Sequence, residues 1–176
     1  MDRFNIMTEI MGSIDNAANM KGIFSLIFIP GEMLKFEIMN NKERKFEVYQ
    51  ARMMGGMSTL PSDSGLNAYN IRKEQMENMI LENIGRGQDI EKNLDSYLEK
   101  KPAEYESFPY ENIIEAELSS GTAFTLPHVI FRLKDEHMKF HLIHGNFSGR
   151  GKISEEVFKK YEDILRISFK DRLSVG

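Results

Sequence analysis

The stretch VIFRLKDEHMKFHLIH, residues 129–144, decides the fold. Val129, Phe131 and Leu133 alternate with Ile130, Arg132 and Lys134, and beyond Asp135 and Glu136 Met138, Phe140 and Leu142 alternate with His137, Lys139 and His141. Period-two alternation on both sides of a polar pair marks a β-hairpin with one dry face and one wet face. A two-residue turn at Asp135-Glu136 pairs Lys134 with His137, Arg132 with Lys139, Ile130 with His141 and His128 with Ile143. Opposed residues share a face. The dry face is then Val129, Phe131, Leu133, Met138, Phe140 and Leu142. The wet face carries His128, Arg132, Lys134, His137, Lys139 and His141, a basic set in a chain of net charge −4.

A helix follows over residues 154–173. Ser154 suits the N-cap, and Glu155 and Glu156 stand where the helix dipole favours acids. Ile153 and Phe158 occupy hydrophobic-staple positions. Val157, Phe158, Tyr161, Ile164, Leu165 and Phe169 form one apolar stripe, which places this helix across the dry face of the sheet or in the open end of a barrel.

Upstream, Phe4, Met7, Ile10, Met11 and Ile14 recur at three- and four-residue spacing, which predicts an N-terminal helix within residues 1–20. Residues 23–29 read as a strand with both faces apolar, and Pro30-Gly31 as a turn. Leu34, Phe36 and Ile38 mark a second strand, Phe46 and Val48 a third, and Leu60-Pro61 the end of a short fourth. Residues 66–101 change to helical period. Ile71, Met76, Met79, Ile80 and Ile84 share a stripe, Gly85 and Gly87 break it, and Ile90, Leu94, Tyr97 and Leu98 make a second helix ending before Pro102. With few apolar residues of its own, this segment reads as a helical insertion between strands. Strand character returns over 107–121, with Ile114, Ala116 and Leu118 on one face and Glu115 and Glu117 on the other.

The chain has 176 residues, 41% hydrophobic and 28% charged, as expected of one globular domain over 1–176. A domain of this size buries roughly 70% of the surface of its unfolded chain. No block of like charge is present, which disfavours a nucleic-acid binder. The absence of cysteine excludes disulfides, thiolate metal sites and cysteine nucleophiles. The first residues lack the basic start and apolar run of a secretory signal, and no apolar stretch is long enough for a transmembrane segment. A cytoplasmic location is the expectation.

A run of antiparallel strands, the segment Phe108-Pro109-Tyr110-Glu111-Asn112-Ile113, a further strand, a hairpin and a terminal amphipathic helix together resemble the bacterial pleckstrin-homology-like domains. The early piece GIFSLIFIPGEMLKFEI is also similar to the strand-turn-strand near the start of such domains. The resemblance implies an α+β fold: an antiparallel bent sheet or partly open barrel capped by the C-terminal helix. It implies a binding or oligomer-forming module, no cofactor and no active-site residue.

The chemistry-bearing candidates cluster on the hairpin. Arg132, Lys134, His137, Lys139 and His141 form a candidate ligand-binding set for an anionic ligand, a lipid headgroup or an acidic protein segment. All four histidines of the chain lie within residues 128–144. Three of them on one strand face invite a metal-assisted hydrolytic site, but His137 and His141 stand about 13 Å apart on an ideal strand, too far for one ion. A solvated histidine-rich face is the plainer reading. Residues 146–152 resemble a phosphate loop only loosely, since Asn146 stands where that motif needs glycine and Ile153 where it needs serine or threonine. No triad, nucleophile elbow or dinucleotide fingerprint is present. The function expected is therefore non-enzymatic: an interaction or assembly module, homo-oligomeric or binding a protein partner. Its contacts would be exposed strand edges and the methionine-bearing loop at residues 53–57.

Overall fold

The computed structural model describes residues 7–40, 63–100, 104–122, 125–143 and 153–176. Among the described residues eight strands form one mixed sheet, β1 (Gly12–Asn19), β2 (Gly22–Ile29), β3 (Glu32–Asn40), β4 (Tyr105–Pro109), β5 (Ile113–Ser119), β6 (His128–Leu133), β7 (His137–Leu142) and β8 (Leu173–Val175). Three helices accompany them: α1 (Asp63–Lys92), α2 (Leu94–Lys100) and α3 (Glu155–Phe169). The strand order is β4-β3-β2-β1-β7-β6-β5-β8. Two antiparallel meanders, β1 to β4 and β5 to β7, thus join along β1 and β7, through Ala17 opposite Leu142 and Ala18 opposite His141. The sheet does not close, and β8 joins β5 in parallel. The expected antiparallel sheet with a C-terminal helix is present, with this one parallel addition.

The sheet bends strongly. On a flat sheet, β2 and β6 would lie about 14 Å apart, three strand spacings. Yet the rings of Phe28 on β2 and Phe131 on β6 are 6.4 Å apart. The inner face curls around α3, whose Phe169 contacts both Phe28 and Phe131. Tyr161, Ile164, Leu165 and Phe169 of the expected stripe are buried in this core. Ser154 caps α3 as expected, accepting a hydrogen bond from the Val157 amide at 3.3 Å. The helix ends earlier than residue 173, because Lys170 adopts φ 51° and turns the chain into β8.

The outer face of β1 to β3 is covered by α1 and α2. Ile27, Leu34, Phe36 and Ile38 pack against Ile90 and Leu94. Ala18, Ile23 and Met39 pack against Met79 and Ile80. Helices α1 and α2 follow β3 and precede β4 in the chain, and Gly85 and Gly87 do not break α1, which runs on to Lys92. Intrahelical bonding and the packing of Ile90 outweigh a propensity cost of about 1 kcal/mol per glycine.

The N-terminal expectation is corrected: residues 12–19 are strand β1, not helix. Its residues are buried on both faces, between α1 and α3, so burial on two sides hides the period-two pattern and leaves a chance helical spacing. The strand expected around 46–50, the short one near 60 and the loop at 53–57 lie outside the described residues, as do the side chains of Ile71 and Met76. The aromatic-proline segment forms the crossover between the meanders. The Tyr110 amide donates to the Gly31 carbonyl at 3.0 Å and its hydroxyl to the Ile29 carbonyl at 2.8 Å. Gly31, at φ 90°, makes that turn conformation accessible.

Side-chain parity along β6 and β7 is as expected, but His128, expected on the wet face, is buried, and the register differs. His128 opposes His141, Ile130 opposes Lys139 and Arg132 opposes His137. The turn is Lys134-Asp135, closed by the Leu133 amide on the Glu136 carbonyl at 2.8 Å. Moving the turn back by one residue shifts every pair by two positions, so side-chain parity survives and the apolar pattern cannot tell the registers apart. Strand β5 also carries a bulge: Ile113 opposes Leu133 and Glu115 opposes Arg132. Ile114, expected inside, is the extra residue and is 58% exposed, while Ile113 takes its place in the core.

Candidate functional site

The outer face of β5, β6 and β7 carries the residues singled out from sequence. Arg132, His137 and Lys139 are exposed there, and Glu115, Glu117 and Ile130 are half-buried. Lys134 sits in the turn at the hairpin tip. Arg132 is the hub of the face. Its Nε lies 3.2 Å from Glu115 and its terminal nitrogen 3.0 Å from Glu117. The cross-strand neighbours on β5 thus neutralise the central cation, and the face is a mixed-sign ladder rather than a basic patch. An anion seeking Arg132 would have to displace two carboxylates.

His128 and His141 face each other across β6 and β7, with ring centroids 6.3 Å apart. The His128 Nδ1 donates to the Leu126 carbonyl at 2.9 Å, since a carbonyl can only accept. That places a proton on Nδ1, and Nε2 lies 3.8 Å from the Glu117 carboxylate. The His141 Nδ1 is buried without a hydrogen-bond partner among the described residues. Burial, and secondarily Lys139 and His128, hold its pKa below the ordinary 6.5. Among the described residues, no group of three or more histidine, cysteine, aspartate or glutamate side chains is arranged to hold a metal ion. His144 and residues 146–152 lie outside the described residues.

A second polar constellation escapes the sequence reading. In β1, Ile14 opposes Leu26 and Ala17 opposes Phe24, so Asp15 and Asn16 together face Ser25. This is a β-bulge, a device that re-aims side chains. Asn16 takes a left-handed φ of 50°, which asparagine tolerates better than most residues. The bulge directs polar groups at α1. The Ser25 hydroxyl donates to Asp15 Oδ1 at 2.9 Å, and the Asn16 amide donates to the Ile80 carbonyl at 3.3 Å. Gly87 passes so close that a Cβ there would overlap Asp15 Oδ1. Between those two contacts on the same helix stripe stands Asn83, 2% exposed. Among the described residues neither of its amide atoms has a hydrogen-bond partner, nor does Asn16 Oδ1. Burial holds the Asp15 carboxyl above its ordinary pKa, against the Ser25 hydrogen bond that favours the ionised form. The available signal in sequence was a polar residue, Asn83, and a glycine, Gly87, inside an apolar helical stripe.

Lys35 is buried on the inner face, with Nζ 3.0 Å from Glu106 and 5.0 Å from the Phe24 ring centroid. A shallow groove of about 410 Å³ runs between Met11-Gly12 and α3, floored by Ile164 and Ile167. Among the described residues no helix is long and apolar enough to cross a membrane. Compared with known proteins, the chain matches no family model, no curated protein and no solved structure.

Proposed function

We propose that this protein is a non-enzymatic interaction module of the pleckstrin-homology-like type, and that it binds a protein surface, a second copy of itself first among them, through the outer face of β5 to β7. The observation that carries the reading is the cross-strand ladder Glu115–Arg132–His137. It lies on a sheet face left to solvent, while α3 fills the inner face and α1 covers the outer face of the other meander. A rigid surface of alternating sign, flanked by the exposed Ile114, suits a partner with a complementary charge pattern. It suits a free phosphate or an anionic headgroup less, because Arg132 already holds two carboxylates. The strand order and the helix packed inside the bend support the pleckstrin-homology-like assignment.

Light scattering coupled to size-exclusion chromatography tests this over a range of loading concentrations. The expected result is a concentration-dependent assembly that the paired substitution Arg132→Glu with Lys139→Glu disperses without unfolding the chain. A monomer at every concentration, unchanged by that pair, would remove self-assembly. Vesicle binding that depends on the same two residues would favour the anionic-membrane alternative instead.

A further inference from the structure

The outer face of β5 to β7 is a grid with three rows. Taken across β5, β6 and β7 in turn, the rows read Glu115–Arg132–His137, Glu117–Ile130–Lys139 and Ser119–His128–His141. The acids therefore stand on one flank, β5, and the exposed His137 and Lys139 on the other, β7. Arg132 on the middle strand carries its counter-charges with it, Glu115 at 3.2 Å and Glu117 at 3.0 Å. Those two side chains remain 45% and 32% exposed, and a carboxylate has about four acceptor positions, more than Arg132 fills. Acids with spare acceptors on one flank and exposed bases on the other leave each flank complementary to the opposite one.

We propose, resting on the self-association reading of this face, that its partner is a second copy of the chain related by a two-fold axis running along β6. Such an axis turns one face onto the other and lays β5 over the partner's β7. Glu115 then meets the partner's His137, and Glu117 meets the partner's Lys139. The half-buried Ile130 meets its own counterpart on the axis. The two Arg132 side chains also approach the axis, each already neutralised within its own chain. A two-fold axis across the strands instead would set Glu117 on Glu117 and Lys139 on Lys139, so the sign pattern selects the first arrangement. Aligned sheets pack about 10 Å apart with their strands crossing at about 30°. α1 bounds the contact on one side, because it packs on Ala18, the β1 neighbour of His141. The footprint is then three strands wide, about 15 Å by 20 Å, and so small an interface associates weakly and follows concentration.

Sedimentation velocity of the full chain over rising concentration tests the arrangement, with Lys139→Glu and Glu117→Lys made separately. Each change sets like charges against each other twice across the axis, and each is expected to weaken association about tenfold. An equimolar mixture of the two variants should recover it, because the acids of one chain then face the lysines of the other. Ile130→Cys gives a second readout in a chain that has no cysteine of its own. A short bismaleimide should link this variant into dimers, and should not link Ile114→Cys, which is exposed but lies off the axis. If Glu117→Lys, which takes a carboxylate from Arg132, fails to fold by circular dichroism, the cross-link at 130 decides alone. A wild-type chain that stays monomeric at every concentration overturns self-association and the two-fold arrangement together. Wild-type assembly that a single variant leaves unchanged, that the mixture does not restore, or that gives no link at 130 overturns the arrangement and leaves self-association standing.

Discussion

Gly85 and Gly87 lie two positions apart in one helix, and alanine at each should move stability in opposite directions. Both substitutions gain about 1 kcal/mol of helix propensity. At Gly85 nothing stands within 4 Å of an added Cβ, so the gain is kept. Gly85→Ala should stabilise the protein by about 1 kcal/mol, a rise in Tm of about 2–4 °C for a chain of this length. At Gly87 the same methyl overlaps Asp15 Oδ1 and comes within 3.2 Å of Ser25 Oγ and 3.3 Å of Asp15 Cγ. Making room means displacing a buried carboxyl and losing its hydrogen bond from Ser25, about 1–2 kcal/mol. Overpacking against β1 adds about 1–3 kcal/mol. Less the propensity gain, Gly87→Ala should destabilise by about 1–4 kcal/mol. Urea denaturation followed by circular dichroism reads both variants in one experiment. The double variant Asp15→Ala with Gly87→Ala supplies the control, since removing the carboxyl should recover much of the loss and give a large coupling energy. If Gly87→Ala stabilises as Gly85→Ala does, α1 does not press on the bulge and the close approach drawn above is wrong.

Three other substitutions probe the same physics. Because burial raises the Asp15 pKa, the unfolded chain ionises first as pH rises from about 4, and this group costs stability in that window and above it. Asp15→Asn should match wild type near pH 3 and exceed it at pH 7, where Glu91 on α1 adds to the cost and Lys160 on α3 lessens it; a variant weaker at pH 7 contradicts the burial argument. His141, with its pKa held below 6.5, binds its proton more weakly in the folded chain, so its contribution is lost as pH falls through the histidine range. A histidine NMR titration should place it below the ordinary value, and His141→Leu should flatten the stability profile between about pH 5 and 7. Arg172 donates to the carbonyls of Tyr110 and Ile113 and stacks over Phe169, so Arg172→Ala should cost about 1.5–3 kcal/mol in a urea titration.

Much of the architecture was legible because one-sided burial writes itself into sequence. The dry face of β6 and β7 and the stripe of α3 each alternate cleanly, since polar residues on the other side meet water. Legibility fails where burial is two-sided or insensitive to pairing. β1 is covered by α1 on one face and α3 on the other, so Ile10, Met11 and Ile14 could pass for a helical stripe. The hairpin turn sits one residue early because a two-position change in pairing leaves every face intact. Ile113 and Ile114 exchange roles through a bulge that no local pattern announces. Of the candidate site, Arg132, His137 and Lys139 do share the outer face. That Arg132 is already neutralised could not be read, because its partners Glu115 and Glu117 come from another strand whose register the bulge resets.

The bulge at Asp15 and Asn16 shows why polar residues deep in an apolar interface carry information about function. Here β1 gains an extra residue, places Asn16 in the left-handed region and turns two polar side chains toward α1. The helix answers with Gly87, which leaves room for Asp15, and with Asn83, whose amide meets no partner among the described residues. The Ser25 and Ile80 hydrogen bonds, and that from Arg86 of α1 to the Ile38 carbonyl of β3, offset these costs. The apolar contacts of Met79, Ile80 and Ile90 hold α1 on the sheet, and the polar contacts at the bulge fix its register there.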